Sequence, residues 1–337
     1  MAKLILSTGN IVSGGPSIVR KPGASNLELI NSLKVSFQDA QIDYADEIEN
    51  TTASPTTTTA TNGTSNGVHE VQATNGANTT TSTTVTPGPL YWTEKTQNDT
   101  TETIFVPRID WESASLSEER SQYDITVKIF FLPTTSPDVS ARAAYTQEAL
   151  GLVLKELGGI SDVDLLVVSF PGMSFDGDCE WEADKLNAAQ GDDEVEIATW
   201  QGAVEKLYTQ GKVKRLGISE FGTEKLSRFI KRVGVKPAVD QINIKNCCNV
   251  PPPLAKLAKE QNVELLVHSD CTDILPEGTL RELLGPQGAG LLADPKVDGS
   301  QALSGNLTPQ WVVKYTAVVK NRGVIENKGY FAGAELN

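Results

Sequence analysis

The feature that most constrains the fold of this chain is a regular alternation of short apolar runs with amphipathic segments. Runs rich in β-branched residues begin at positions 213, 239 and 263, so successive starts lie 26 and 24 residues apart. The segments between them have the apolar spacing of a helix. This pattern is typical of right-handed strand–helix units that build a parallel sheet.

The alternation extends beyond this repeat. Pro133 ends an apolar run that suits a buried strand, and Ser25 and Glu28 have the spacing of a helix capping box. The further predicted elements are strands over 125–132 and 163–168 and helices over 25–37, 140–157 and 311–319.

Such an alternation suits either a doubly wound sheet or a closed (β/α)8 barrel. A doubly wound sheet that binds nucleotides usually carries a glycine-rich fingerprint after its first strand. Gly9 belongs to no such fingerprint, and the glycine-rich segment 285–290 has neither a preceding strand nor a Lys-Ser/Thr pair. We therefore predict an α/β fold in which residues 1–337 form a single (β/α)8 TIM barrel.

A threonine-rich tract interrupts the barrel pattern. Residues 51–90 contain fifteen threonines and one charged side chain, Glu70. Such a composition cannot bury enough apolar surface to offset the entropy of ordering the chain. We predict that residues 50–106 form a low-complexity, disordered insertion.

Charge and composition exclude several classes of partner. The net charge of −14 opposes contact with nucleic acid or an anionic membrane surface, and no apolar run reaches the ~18 residues of a membrane span. Four cysteines and two histidines offer neither a disulfide framework nor a metal site. We expect a cytoplasmic protein that binds no metal, nucleic acid or membrane.

One segment departs from this acidity. Residues 205–236 carry nine Lys or Arg against three Asp or Glu. These charges suit either a solvated outer face of the barrel helices or a surface that steers an acidic partner.

Four segments, in this order and at this spacing, resemble the aldo-keto reductase family. The resemblance implies a (β/α)8 barrel in which a Tyr, Lys, Asp and His tetrad reduces carbonyls with NADPH. The four segments are 163–171, 199–213, Leu216-Gly-Ile-Ser-Glu-Phe221 and Lys236-Pro-Ala-Val-Asp-Gln241.

The resemblance implies positions for the tetrad. Asp39 and Tyr44 have the family's spacing, Lys128 matches its Lys, and Ser169 stands in place of its His. A serine cannot polarise a carbonyl or titrate near neutral pH as an imidazole does. Two alternatives stay open, since Lys128 could face solvent and Asp39 and Tyr44 could continue the helix that starts at Ser25.

The same resemblance implies a depleted site for NADP. Ser219 and Gln241 match residues that hold the nicotinamide carboxamide, and Lys328 matches a lysine beside the 2′-phosphate. Glu220 replaces the family's Asn and adds a negative charge. An anionic dinucleotide would bind weakly to such a site, so we expect no required cofactor, while NADP binding stays open.

The chain more closely resembles the regulatory (modifier) subunits of glutamate–cysteine ligase, within the aldo-keto reductase superfamily. The resemblance covers most of 4–49 and 120–332, and the threonine-rich tract indicates a fungal-type branch. The segments that carry it are Leu6-Ser-Thr-Gly-Asn10, 246–252, Leu265-Leu-Val-His-Ser-Asp270 and 315–330.

This second resemblance implies a subunit that is not itself an enzyme. Members bind the catalytic subunit of glutamate–cysteine ligase as a heterodimer, raise its affinity for glutamate and relieve feedback inhibition by glutathione. The alternative function is an NADPH-dependent aldo-keto reductase with a degenerate tetrad.

Two further groups of residues invite functional interpretations. Cys247 and Cys248 follow the end of a predicted strand, where an exposed thiol could sense redox state or contact the partner, whereas buried thiols would be inert. His268 and Asp270 could combine with Ser169 in a hydrolase. No nucleophile-elbow sequence accompanies them, so we do not predict a hydrolase.

Overall fold

The computed structural model describes residues 2–12, 25–52, 88–98, 101–243, 249–294 and 302–337. The helices are Ser25–Thr52 (α1), Val139–Glu156 (α2), Glu180–Asn187 (α3), Asp193–Thr199 (α4), Glu205–Thr209 (α5), Thr223–Ile230 (α6), Pro252–Gln261 (α7) and Thr279–Leu284 (α8). The strands are Ala2–Ser7 (β1), Glu94–Asn98 (β2), Thr101–Val106 (β3), Tyr123–Phe131 (β4), Val163–Ser169 (β5), Val213–Ser219 (β6), Val239–Asn243 (β7), Glu264–His268 (β8), Leu307–Val319 (β9) and Val324–Leu336 (β10).

The ten strands form one sheet in the order β2-β3-β1-β10-β9-β4-β5-β6-β7-β8. Strands β4 to β8 follow one another in sequence and pair in parallel. Helices connect them, as the repeated spacing of apolar runs predicts. The predicted α/β class and its strand–helix units are therefore confirmed.

The C-terminal part of the chain corrects one prediction. Residues 311–319, predicted as a helix, belong to strand β9, which pairs antiparallel with both β10 and β4. Trp311, Val313 and Tyr315 are buried in the core that contains side chains of α2 and α6, whereas Val312 is buried in the core on the opposite face. Apolar residues on both faces of a strand mimic a continuous helical stripe, and this explains the wrong prediction.

The predicted disordered insertion, 50–106, is also too long at its C-terminal end. Residues 94–98 and 101–106 form β2 and β3, and β3 pairs in parallel with β1. Trp92, Ile104 and Val106 are buried, so this part of the chain does supply apolar surface to a core. Helix α1 extends to Thr52, and residues 53–87 lie outside the described residues.

The sheet is strongly curled between β4 and β8. Neighbouring strands lie about 4.8 Å apart, so four steps of a flat sheet would separate β4 from β8 by about 19 Å. The ammonium nitrogen of Lys128 on β4 nevertheless lies 3.2 Å from a carboxylate oxygen of Asp270, just beyond β8. The curl fits a barrel, but β2 and β8 end the order of the described strands, so closure of the barrel stays a prediction.

The two faces of the sheet bury separate cores because side chains alternate along each strand. Ile125, Val127 and Ile129 of β4 pack in the first core with side chains of α2 and α6. Phe130 and Leu132 project to the opposite face, which we call the inner face, and pack in a second core with side chains of α1 and α8. Thr126 and Lys128 share that inner face outside the second core. Polar side chains are thus brought together inside the curl.

One buried acid beside the first core should make the free energy of unfolding depend on pH. Glu156 of α2 is buried and accepts a hydrogen bond from the Tyr315 hydroxyl at 3.3 Å. Burial outweighs this bond and raises the pKa of Glu156 to about 7. Between roughly pH 4.5 and 7 the folded state therefore keeps a proton that the unfolded state releases. We expect this group alone to lower the free energy of unfolding by about 3 kcal/mol across that interval as pH rises.

The variant Glu156→Gln tests this expectation, because an amide keeps the acceptor for Tyr315 without the charge. We expect its free energy of unfolding at pH 8 to exceed that of the wild type by about 3 kcal/mol, with no difference at pH 4. Urea unfolding at several pH values measures this. The exposed Glu112→Gln is the control, and parallel pH curves for the wild type and Glu156→Gln would contradict the assignment.

No helix within the described residues is long and apolar enough to cross a membrane.

Candidate functional site

The inner face of the curled sheet holds a polar cavity of about 300 Å³. Thr126 and Lys128 of β4 lie opposite Thr316 and Lys314 of β9 in the antiparallel register, and this pairing places two lysines side by side. The cavity is lined by Thr126, Lys128, Gln241, His268, Ser269, Asp270, Lys314 and Thr316.

Asp270 binds both lysines of the cavity. Its two carboxylate oxygens lie 3.2 Å from the Lys128 ammonium and 2.7 Å from the Lys314 ammonium. Burial alone would raise the pKa of Asp270, but the charges of Lys128 and Lys314 outweigh burial and hold that pKa well below its usual range. Burial lowers the pKa of Lys128, while Asp270 and Glu220 oppose the shift. The cavity therefore contains a charged triad with Asp270 at its centre.

Two hydrogen bonds fix the orientation of the His268 ring. Its Nδ1 accepts a bond of 3.1 Å from the Asp270 backbone N–H, so that nitrogen carries a lone pair. Its Nε2 lies 2.7 Å from Oε1 of Glu220, to which it donates. The Ser219 hydroxyl lies 3.3 Å from the same Nε2. Because Nε2 already donates to a carboxylate, it has no lone pair to take a proton from Ser219, and the arrangement is not a hydrolase triad.

Glu220 occupies a backbone conformation that is uncommon for its residue type. Its φ of 65° lies in the left-handed region. The Asn that aldo-keto reductases carry at this position is better tolerated there. Besides His268, the structure places the Asn243 backbone N–H at 3.4 Å from its second carboxylate oxygen, and its own carbonyl accepts from Asn187 at 2.7 Å. The Glu220 carboxylate, which the sequence adds in place of Asn, is therefore bound to His268 behind the cavity wall.

The candidate tetrad residues do not line one cavity. Lys128 lines it and is buried, so the alternative that it faces solvent is wrong. Ser169 is buried at the end of β5 and is not among the lining residues of the polar cavity. Asp39 is exposed on α1. Tyr44, also on α1, packs against the second core with the Arg108 guanidinium 3.3 Å from its ring centre. Asp39 and Tyr44 therefore continue helix α1, the second alternative left open by the sequence.

The candidate cofactor residues are divided between two environments. Ser219 is buried, and Gln241 lines the cavity with an Oε1 atom that is buried and finds no partner among the described residues. Lys328 is buried on β10 and forms an ion pair with Glu28 of α1. Glu28 also accepts a hydrogen bond of 2.7 Å from the Tyr330 hydroxyl. Lys328 is thus engaged in holding α1 to the sheet.

Cys247 and Cys248, the candidate redox or partner contacts, lie outside the described residues.

The basic segment 205–236 is largely neutralised within the molecule. Lys225 is 1% exposed and its ammonium lies 2.7 Å from Glu196 of α4. Arg228 and Arg232 reach the same acidic stretch and pair with Asp193 and Glu194 respectively. The segment therefore holds α6 against α4, and neither predicted role describes the buried Lys225.

Sequence reasoning missed Lys314 and Thr316 because 311–319 was interpreted as a helix. The signal that could have found them is local: Val, Tyr and Thr dominate this run, and these residue types favour strands. Once the run is placed on a strand, Lys314 and Thr316 fall on one face by alternation.

Comparison with known proteins identifies the fold family. A sequence model of the aldo/keto reductase family matches residues 111–282. The chain belongs to the aldo/keto reductase family. The predicted reductase-type α/β fold is confirmed by this match.

Two relatives carry a more specific name. A Schizosaccharomyces pombe protein with the provisional name glutamate–cysteine ligase regulatory subunit is 30% identical over 67% of this chain and 76% of its own length. The human glutamate–cysteine ligase regulatory subunit is 24% identical over 65% of this chain and 68% of its own length. These relatives confirm the resemblance inferred from the sequence. Among solved structures, an aldo/keto reductase of Brucella melitensis is 23% identical, with a TM-score of 0.33 over 50% of this chain and 54% of its own.

Proposed function

We propose that this chain is a non-catalytic regulatory subunit of glutamate–cysteine ligase that acts in the cytoplasm. In this role it binds the catalytic subunit as a heterodimer, raises its affinity for glutamate and relieves feedback inhibition by glutathione. The observation that carries the proposal is its similarity to the regulatory-subunit relatives over about two thirds of the chain.

The geometry of the cavity supports a non-catalytic role. A carbonyl reductase needs an acid that can deliver a proton to the substrate oxygen. Here Lys128 is bound to Asp270, Tyr44 packs under Arg108 away from the cavity lining, and a serine stands in place of the imidazole. His268 cannot substitute, because both of its ring nitrogens are already hydrogen-bonded. These side chains therefore stabilise one another rather than a developing alkoxide.

A regulatory subunit without its own chemistry can act only through a coupling free energy. If it binds the glutamate-competent state of the catalytic subunit more tightly, glutamate must tighten the heterodimer by the same factor. We expect saturating glutamate to lower the dissociation constant of the complex by roughly 5- to 150-fold, the usual range for such coupling.

Calorimetric titration of the purified catalytic subunit with this chain, with and without glutamate, measures the coupling. The control replaces glutamate by an equal ionic strength of sodium chloride. If the two proteins co-purify but glutamate does not change the dissociation constant, binding to the catalytic subunit is supported and the coupling to glutamate is contradicted. Failure to bind the catalytic subunit at all would reject the proposed function.

A second candidate function is an NADPH-dependent aldo-keto reductase. Lys128 and Gln241, two residues that match the family's catalytic and nicotinamide positions, do line the same cavity. Quenching of NADPH fluorescence combined with a scan of carbonyl substrates tests it. Saturable NADPH binding together with turnover that is lost in Lys128→Met would favour the reductase over the regulatory subunit.

A further inference from the structure

We propose that the polar cavity between β4, β7, β8 and β9 is a binding site for a small organic monoanion, held through its carboxylate by Lys128 and Lys314. The argument for this site does not use partner binding, and of the four candidate tetrad residues only Lys128 lines it. Strand β9 supplies two of its eight lining residues, Lys314 and Thr316.

The first argument is the charge of the lining. Lys128 and Lys314 share a single carboxylate among the lining residues, that of Asp270, and the nearby Glu220 carboxylate behind the cavity wall is bound to His268. A ligand carboxylate gives the two ammonium groups a second anionic acceptor, whereas a phosphate dianion would leave an excess of negative charge in the cavity.

The second argument is an excess of hydrogen-bond donors. Each lysine ammonium has three N–H groups. Within the part of the chain that the structure describes, each ammonium gives one to Asp270, and the hydroxyls of Thr126 and Thr316 bond to no other residue. The surplus donors face a volume of about 300 Å³ that accommodates several ligand atoms. A ligand with several oxygen acceptors satisfies these donors, and charge-assisted hydrogen bonds of this kind are stronger than neutral ones.

The third argument concerns access and preorganisation. The Lys128 side chain is 5% exposed and the Lys314 side chain 22% exposed, so the second lysine stands at the mouth of the cavity. Asp270 fixes both ammonium groups before any ligand arrives. A ligand that enters past Lys314 therefore finds its donors already oriented, and this lowers the entropic cost of binding.

Titration calorimetry of the full chain with butyrate tests the site, at constant ionic strength set with sodium chloride. Butyramide, which has nearly the same shape without the charge, is the matched probe, and inorganic phosphate is the third. We expect saturable binding of butyrate with an affinity at least tenfold higher than that of either other probe.

Variants locate the binding. Lys314→Met should weaken butyrate at least tenfold, and Thr316→Val about threefold, while exposed Lys212→Met should leave it within twofold. Circular dichroism establishes that each variant is folded. Should Lys314→Met fail to fold, Thr316→Val still tests the location.

Three results would overturn the proposal. The first is no saturable butyrate binding, and the second is butyramide or phosphate binding as tightly as butyrate. The third is butyrate binding that Thr316→Val and folded Lys314→Met leave unchanged. Because all three are measured without the catalytic subunit, they are separate from failure of the proposed regulatory function.

Discussion

The variant Lys225→Met is expected to lose about 3–5 kcal/mol of unfolding free energy, the usual cost of removing one partner from a buried ion pair. Lys225 is 1% exposed, and its ammonium lies 2.7 Å from Glu196 and donates to the Gln190 carbonyl at 2.6 Å. Glu196 is itself 3% exposed. Burial raises the pKa of Glu196 even with the lysine present. Without Lys225 the acid must either stay charged in the interior or take up a proton.

Urea unfolding at pH 7 measures this loss, and two matched variants define its cause. Arg232→Met removes an exposed pair with Glu194, for which we expect a loss below about 1 kcal/mol. The double variant Lys225→Met/Glu196→Gln should recover part of the loss, because no uncompensated charge then stays buried. If Lys225→Met and Arg232→Met cost the same, the buried pair does not stabilise the contact between α4 and α6.

The second large effect is expected for Asp270→Asn, which leaves two ammonium groups facing each other across the cavity. Asp270 is 7% exposed and joins Lys128 and Lys314, so we again expect a loss of about 3–5 kcal/mol at pH 7. Adding Lys128→Met should restore part of it, since Lys314 can then be solvated at the mouth of the cavity.

The pH dependence of Asp270→Asn has a definite sign. The pKa of Asp270 in the folded protein is depressed, so its stabilising contribution is complete above the unfolded value of about 3.9 and is lost as pH falls through the folded value. The difference in unfolding free energy between the wild type and Asp270→Asn should therefore shrink below about pH 4. Exposed Asp124→Asn is the control. A difference that stays constant down to pH 2 would show that the carboxylate charge is not its source.

Much of the fold could be predicted from sequence because its central part is built from local units. Strands β4 to β8 and the helices between them carry their own apolar spacing and their own glycine and proline boundaries, so each unit is recognisable without its neighbours. Strands β2 and β3 lack that independence. Strand β3 pairs with β1, which lies far from it in sequence, and β2 pairs with β3.

Only part of the candidate site could be predicted, because the rest depends on contacts between segments that lie far apart in sequence. Lys128, Gln241 and His268 could be placed from the strand pattern and the family resemblance. The position of Lys314 beside Lys128 depends on the register between β9 and β4, which no local pattern specifies. The ion pair of Lys328 with Glu28 likewise joins a late strand to the first helix, so sequence assigned that lysine to a cofactor instead.

The insertion of β9 and β10 between β4 and β1 has a consequence for how the chain folds. Ala2 pairs with Leu336, and Tyr123 pairs with Val319, so among the described strands β1 is joined to β4 through β10 and β9, which follow both of them in sequence. Until that segment emerges, β1 and the apolar side of α1 have no complete core to enter. Contacts of such long sequence separation fold slowly and leave strand edges open to aggregation. We therefore expect the nascent chain to need protection by chaperones until β9 and β10 have been synthesised.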